Sequence, residues 1–383
     1  MDLTYPSTLP RYPLRDGRFG SGPAKIRPTQ LQDLVADPLR LLGTSHRQPP
    51  VRRLVGRIQE QLHELFDAPE GYEVVLGNGG STAFWDIAAF SLVDTRAQCL
   101  DFGVFGSRFA RAAAAPWLTP PDVRTAPHGE LVLTEELEGI DTYAWPHNET
   151  STGVLAPVRR VGATETAITL IDGTSAAGGT EFDARNADVY YFAPQKNFGS
   201  DAGIWIALLS PAAIDRASRI ATSGRYIPDF LNLYLAIEQS RKQQTLNTPA
   251  LATLMLLENQ ISWILEHGGL AWAAGRTRSL STEIYDWAER SRYAAPFVTN
   301  PALRSPTNVT LEIDPRADTR TLAALLRSAG IFDTDGYVGV GRNQLRIGTY
   351  VSIDPADVGQ LLQNLDVLIP HAIQSGERPT TEG

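Results

Sequence analysis

Residues 190–203 read YYFAPQKNFGSDAG. An aromatic run of strand type ends at a proline, and one lysine, Lys196, follows before a glycine-serine turn. The same texture recurs upstream. YEVVLGNGGSTAFWDIAAFSLV (72–93) reads strand, Gly-rich turn, helix, and RAQCLDFGVFGSRFARAAAA (96–115) reads strand, loop, helix. IDTYAWPHNETSTG (140–153) and TAITLIDGTSAAGG (166–179) each read as a strand followed by a loop of small residues. Short apolar strands alternating with helices imply an α/β fold with a largely parallel sheet, whose ligands gather beyond the carboxyl ends of the strands. Lys196 sits at such an end.

Beyond NTPALATLMLLENQISWILEHGG (247–269) the pattern changes. TNVTLEID, TRTLAALLRSAG, NQLRIGTY and DPADVGQLLQNLDVLIPHAI read strand, helix, strand, helix, with Asp314 or Asp354 before a proline as helix starts. The expected organisation is an extended N-terminal arm (1–20), a large unit (21–259), a smaller C-terminal α+β unit (260–372) and a frayed tail (373–383). A chain of 383 residues is long enough for two such units. Its 43% hydrophobic and 20% charged residues are those of an ordinary globular protein. With 34 basic against 43 acidic residues, a net charge of -9 argues against a general nucleic-acid or acidic-membrane binder. The single cysteine, Cys99, allows no internal disulfide and fits a reducing compartment. With no apolar run of spanning length and no signal-type N-terminus, a cytoplasmic protein is expected. The six histidines lack ligand spacing, so no metal site is expected.

The chemistry-bearing residues gain meaning in combination. Asp172 ends the strand AITLI and precedes Gly173, Thr174 and Ser175. Alone, Asp-Gly is a turn pair, and a lone lysine at a strand end is a solvated group. Together, a carboxylate for a pyridinium nitrogen and a lysine for an aldehyde are the two groups that pyridoxal phosphate requires of a protein. Burial and neighbouring positive charge would keep such a lysine partly neutral. Gly79, Gly80, Ser81 and Thr82 stand just before a helix, where backbone N–H groups and hydroxyls converge on an anion; a tight connection without a ligand is the alternative. Phe105, in a loop after a strand, suits a ring platform or a core position.

At this point the chain resembles a family. SGPAK, TSHRQ, NGGSTAFW, HNETSTG, APQKN, NTP and QLRIG occur in the order found in phosphoserine aminotransferases of the actinobacterial type, over nearly the whole length. The resemblance implies fold type I of the pyridoxal-phosphate enzymes, class V, with a mainly parallel seven-stranded sheet in the large unit and a small C-terminal α+β unit. It implies a homodimer with shared active sites. Lys196 would form the Schiff base, Asp172 partner the pyridinium nitrogen, Phe105 stack on the ring and Thr150 bond the phenolic oxygen. Gly80, Ser81, Thr174 and Gln195 would hold the phosphate, with Asn247 and Thr248 reaching across from the other subunit. Arg346 resembles the α-carboxylate clamp, and His46 with Arg47 the pair that meets the distal anionic group. Relatives carry a His-Arg pair before the clamp and an Arg in the Gly-rich loop; here those stretches read YVGVGRNQLR and GGSTAF, leaving Arg342 as the candidate replacement.

The activity so implied is transfer of an amino group from L-glutamate to 3-phosphohydroxypyruvate in L-serine biosynthesis. Whether 3-hydroxy-4-phosphohydroxythreonine also serves, as in pyridoxine biosynthesis, stays open. Three rivals stand beside it. An alanine-glyoxylate type aminotransferase would favour alanine as donor. A desulfurase would need a mobile Cys, whereas Cys99 lies inside a strand and fills core space. A non-catalytic phosphate-ligand binder would use only the Gly-rich loop.

Overall fold

The computed structural model describes residues 4–36, 41–162 and 167–376, so most of the expected tail (377–383) and the first three residues of the expected arm lie outside the described residues. Seven strands form the central sheet: β1 (Glu73–Asn78), β2 (Ala97–Asp101), β3 (Asp122–Thr125), β4 (Thr142–Pro146), β5 (Ile168–Asp172), β6 (Val189–Phe192) and β7 (Ile204–Leu209). Their spatial order is β1-β7-β6-β5-β4-β2-β3. Every ladder from β6 to β3 is parallel, while β7 runs antiparallel to both β6 and β1.

Both faces are covered, which is why these strands are apolar throughout rather than alternating. β4, β6 and β7 are buried at every position. Successive residues point to opposite faces. Val75, Leu170, Tyr191 and Trp205 pack with helix α3 (Ser81–Ser91) and helix α4 (Val104–Ala112). Leu76, Ile171, Tyr190 and Ile206 face the other way, towards the helices Pro49–Leu65 and α7 (Leu251–Glu266), with α5 (Pro211–Ala221) and α6 (Leu233–Ser240) lying between α4 and α7 in the chain. Phe84 of α3 stacks on Tyr191 at 4.3 Å and meets Trp205 edge-on at 5.2 Å. Full burial of such a ring stabilises the layer by roughly 2–3 kcal/mol.

In chain order Pro28–Ala36 is α1 and Pro49–Leu65 is α2. The expected boundary at residue 260 falls within α7, whose Leu254, Leu257 and Ile261 belong to the large core. Helix α8 (Gly269–Arg290) carries the chain onward: Ala273 packs in the large core, whereas Leu280 and Ile284 pack in a second one. That second core is built on an antiparallel sheet of β8 (Ala294–Pro296), β9 (Asn308–Ile313) and β10 (Gln344–Gly348) with helices α9 (Thr319–Ser328) and α10 (Pro355–Gly376). Asp354 opens α10, accepting the Ala356 N–H at 3.0 Å. Asp314 does not open a helix. It closes a turn with Arg316, and α9 is capped four residues later by Asp318, which accepts from the N–H groups of Arg320 and Thr321.

The N-terminal segment is docked on this smaller unit. Gly17–Arg18 pairs in parallel with Ile331–Phe332, and Phe19 is fully buried in the second core. Ser21, Gly22 and Pro23 then pass beneath the strand ends of the large sheet, since a Cβ on Gly22 would fall 2.5 Å from Lys196 Cε.

Candidate active site

Sheet register brings the rim together. Pro146 of β4 stands opposite Asp172 of β5, which stands opposite Tyr191 of β6. The loops that follow, 147–151, 173–175 and 193–197, therefore leave the sheet side by side. Because β7 is antiparallel, Asp201 and Ala202 enter at the same rim, and the end of β1, paired as Asn78 with Ile204, delivers Gly79–Ser81 there too. A cavity of about 430 Å³ opens between them, lined by residues that include Gly80, Ser81, Thr82, Phe105, Thr150, Asp172, Thr174, Gln195 and Lys196. All nine were expected from the sequence, and one cavity holds them.

Lys196 is buried in a turn that the Gly199 N–H closes on the Lys196 carbonyl at 2.9 Å. Its Nζ donates to the Ser21 carbonyl at 2.8 Å and to Thr150 Oγ1 at 3.4 Å, and lies 5.9 Å from the centre of the Phe105 ring. Burial, helped by the Arg346 charge, pushes its pKa down to about 7, with Asp172 and Glu149 pulling the other way. A substantial neutral fraction at neutral pH follows.

Asp172 faces the cavity from deep in the protein. Its Oδ1 accepts the Thr174 N–H at 2.9 Å and Oδ2 the Trp85 indole N–H at 3.4 Å. Burial raises its pKa, and hydrogen bonds from Thr174, Trp85 and Tyr191 oppose the rise. Ser81 and Thr174 hydroxyls bond each other at 2.6 Å at the start of α3. That helix has Gly80 as N-cap and no side-chain cap, leaving its first N–H groups for an anion, and a Cβ on Gly80 would meet nothing within 4 Å.

Arg346 stands behind Thr150. Its Nη1 donates to the Thr150 carbonyl at 3.1 Å, its guanidinium lies 4.9 Å from the centre of the Tyr337 ring, and its buried Nε has no partner. Tyr337 in turn meets Phe105 edge-on at 5.8 Å. Arg342, expected beside Arg346, is exposed, paired with Glu312 and set over Phe297 at 5.1 Å. Four residues before Arg346, in the turn that precedes β10, it faces the outer surface, so it does not join this cavity.

His46 and Thr248 meet each other, Nδ1 to Oγ1 at 3.2 Å, next to Asn78, which donates to the Thr248 carbonyl. Burial and the Arg47 charge lower the His46 pKa. Arg47, Asn247 and Thr248 are exposed, and none of the four lines the cavity of their own chain. Cys99 is buried in β2 with its thiol pushed up by burial, the state of a core residue rather than a mobile nucleophile. Three contributors were not singled out from the sequence. Trp85 bonds Asp172, Tyr337 bridges Arg346 and Phe105, and Glu149 holds the start of α4; HNETSTG and NGGSTAFW contain two of them, without a local pattern that assigns a role.

Fold and site together define a class, the class V aminotransferases: the family profile described as Aminotransferase class-V matches residues 129–346. The phosphoserine aminotransferase of Nocardioides sp. is 52% identical over 359 residues, 93% of this chain and 96% of that one. That of Rhodococcus jostii is 50% identical over 355 residues, 92% and 95% of the two chains. The chain belongs to the phosphoserine aminotransferase family. Among solved structures, a phosphoserine aminotransferase from Cytophaga hutchinsonii superposes with a TM-score of 0.85 at 22% identity, covering 92% of this chain and 98% of that one, and so shares the fold.

The cofactor of these enzymes is pyridoxal phosphate, and the residues present fit it. Gln195 Oε1, Asn148 Oδ1 and Ser21 Oγ are buried polar atoms without partners at or beside the cavity, as is Arg346 Nε, and each awaits a ligand atom or water. A lysine with a lowered pKa, a carboxylate facing the cavity and an uncapped helix start are the three functions the aldehyde, the ring nitrogen and the phosphate need.

Proposed function

We propose that this chain transfers the amino group of L-glutamate to 3-phosphohydroxypyruvate, giving O-phospho-L-serine and 2-oxoglutarate, the aminotransfer step of L-serine biosynthesis. The observation that carries the reading is Lys196, buried, with a pKa near 7, in one cavity with Asp172 and with Arg346 behind Thr150. Pyridoxal phosphate, when bound, supplies the aldehyde carbon that takes up the amino group and the ring that withdraws electrons from it. Asp172 would hold the proton of the ring nitrogen, Phe105 cover one ring face and Thr150 meet the phenolic oxygen. Ser81, Thr174, Gly80 and Gln195 would hold the phosphate, with Thr82 beside them.

The chain's own part is proton transfer and recognition. Lys196 Nζ, neutral at its lowered pKa, would take the proton from Cα of the amino donor and deliver it to the carbon that came from the aldehyde, and in the second half of the cycle carry a proton the opposite way, to Cα of the product. Arg346, with an unpartnered buried Nε, takes the α-carboxylate of each substrate. Substrates with two anionic ends also need a cation further out. His46 and Arg47 would meet that distal group, while Asn247 and Thr248 would reach the cofactor's phosphate from the partner of a homodimer in which each site is completed by both chains. The exposure of Asn247 and Thr248, and their absence from their own chain's cavity, support that arrangement. We place the protein in the cytoplasm. In support, no helix among the described residues is long and apolar enough to cross a membrane.

The test compares donors. Holoenzyme mixed with O-phospho-L-serine or with L-alanine is followed by its visible spectrum. Conversion of the lysine-bound form by phosphoserine and not by alanine is expected. Conversion by alanine alone would move the function to an alanine-using aminotransferase, and a protein that takes up no pyridoxal phosphate would remove Lys196 from catalysis.

A further inference from the structure

Glu149 lies between Asn148 and Thr150, which line the cavity, yet its own side chain is fully buried outside the lining. Its carboxylate accepts four hydrogen bonds. Oε2 takes the backbone N–H groups of Phe105 and Gly106, each at 3.0 Å. Oε1 takes the N–H and the hydroxyl of Ser151 at 3.0 and 2.6 Å. The Ser151 hydroxyl oxygen accepts in turn from the Val104 N–H at 3.0 Å. The three N–H groups that open α4 are thus satisfied from the loop after β4, some 45 residues away in the chain, and not by their own N-cap. That N-cap, Gly103, has no side chain to offer, and a Cβ there would fall 2.3 Å from Glu149 Cγ.

Three of the four partners are N–H groups that can only donate, so the arrangement favours the ionised carboxylate. The helix start adds a positive field. Burial pushes the Glu149 carboxyl up, and the hydrogen bonds from Ser151, Gly106 and Phe105 oppose it. The charges that act on Lys196 are Arg346 on β10, Asp172 on β5 and Glu149, with the Arg346 effect opposed by the other two. Arg346 feels Glu149 as well, beside Asp335 and the rings of Tyr337 and Tyr350.

We propose that Glu149 is a positioning residue for the reaction: as a buried anion it fixes the start of α4, and with it the Phe105 ring, against the cavity, and it supplies negative charge that offsets Arg346 beside Lys196. The proposal rests on the reading that Lys196 takes the aldehyde of pyridoxal phosphate.

The test uses cofactor-stripped wild type, Glu149→Gln, Glu149→Asp and Ser151→Ala. Pyridoxal phosphate is the probe; borohydride trapping with mass spectrometry gives the rate of capture at Lys196 against pH, and fluorescence gives the dissociation constant. Glu149→Gln places an amide N–H₂ against donors, so affinity should fall about tenfold or more. With its charge gone, the pH midpoint of capture should move down. Ser151→Ala should weaken affinity with the midpoint in place, because the anion remains. Glu149→Asp, charged but one methylene short, should keep the wild-type midpoint with weaker affinity, and it carries the test with Ser151→Ala if the amide variant does not fold. A midpoint unchanged in Glu149→Gln, equal movement in Ser151→Ala, or unaltered affinity in all three overturns the proposal. No capture at Lys196 in the wild type overturns the reading beneath it and the proposal with it.

Discussion

Replacing Lys196 by Met should make the cofactor-free chain more stable. The lysine is 8% exposed, and its ammonium is pushed from 10.5 to about 7. The unfolded chain therefore binds a proton between pH 7 and 10.5 that the folded chain does not, so the stability of the fold rises with pH across that window. At about 1.4 kcal/mol per pH unit, the burial costs about 4 kcal/mol at pH 7, and the cost disappears above pH 10.5. Met has similar length and no charge. It forfeits the Nζ bond to the Ser21 carbonyl, worth about 1 kcal/mol. That carbonyl keeps the Tyr350 hydroxyl at 2.6 Å and is not orphaned. The net gain is about 3 kcal/mol at pH 7, shrinking toward pH 10.5. Thermal unfolding of both stripped proteins from about pH 6 to about pH 10.5, which spans the shift, reads the difference directly. A variant no more stable than wild type at pH 7, or one whose advantage is the same at both ends, would refute the account of a lysine held neutral at a cost in stability for the sake of its chemistry.

Two further outcomes are expected. If Arg346 grips the α-carboxylate as proposed, Arg346→Gln removes charge-assisted bonds at about 1.5–3 kcal/mol each, so kcat/KM for phosphoserine should fall about a hundredfold or more; a loss within about threefold would take Arg346 out of the substrate site. Gly77→Ala would set a Cβ 2.2 Å from Cζ2 of the buried Trp205, between β1 and β7, and should destabilise by roughly 1–3 kcal/mol. An unchanged unfolding midpoint there would mean the ring has room that the packing denies.

What could be read from the sequence was whatever a short stretch settles by itself. Strands that end in Asp172 or lead to Lys196, and the Gly-rich turn before Ser81, are local patterns, and the parallel sheet brings local strand ends to one rim. The roles of Trp85, Glu149 and Tyr337 are contacts between elements far apart in the chain, so no spacing announces them. Arg342 illustrates the converse. Four residues from Arg346, it has the right charge in the right stretch, but it lies in the turn before β10 and is drawn outward by Glu312. The helix start at Asp314 failed for a similar reason, since Arg316 engages that carboxylate and Asp318 takes the capping position. His46, Arg47, Asn247 and Thr248 were grouped by resemblance alone, and none of them lines the cavity of its own chain.

The strand-like segment at the N-terminus carries a consequence for biosynthesis. Phe19 bonds Phe332 and Gly348, Ser21 meets Tyr350, the Lys25 carbonyl meets Ser352 and its ammonium meets Asp357. Ser21 and Lys25 leave the ribosome 329 and 327 residues ahead of Tyr350 and Ser352. The Ser21 carbonyl that accepts from Lys196 therefore lacks its Tyr350 anchor until long after the lysine is made, and the large sheet can assemble before its lysine is finally seated. A nascent chain halted before residue 350 would own every rim loop of the sheet and still lack the floor of the site.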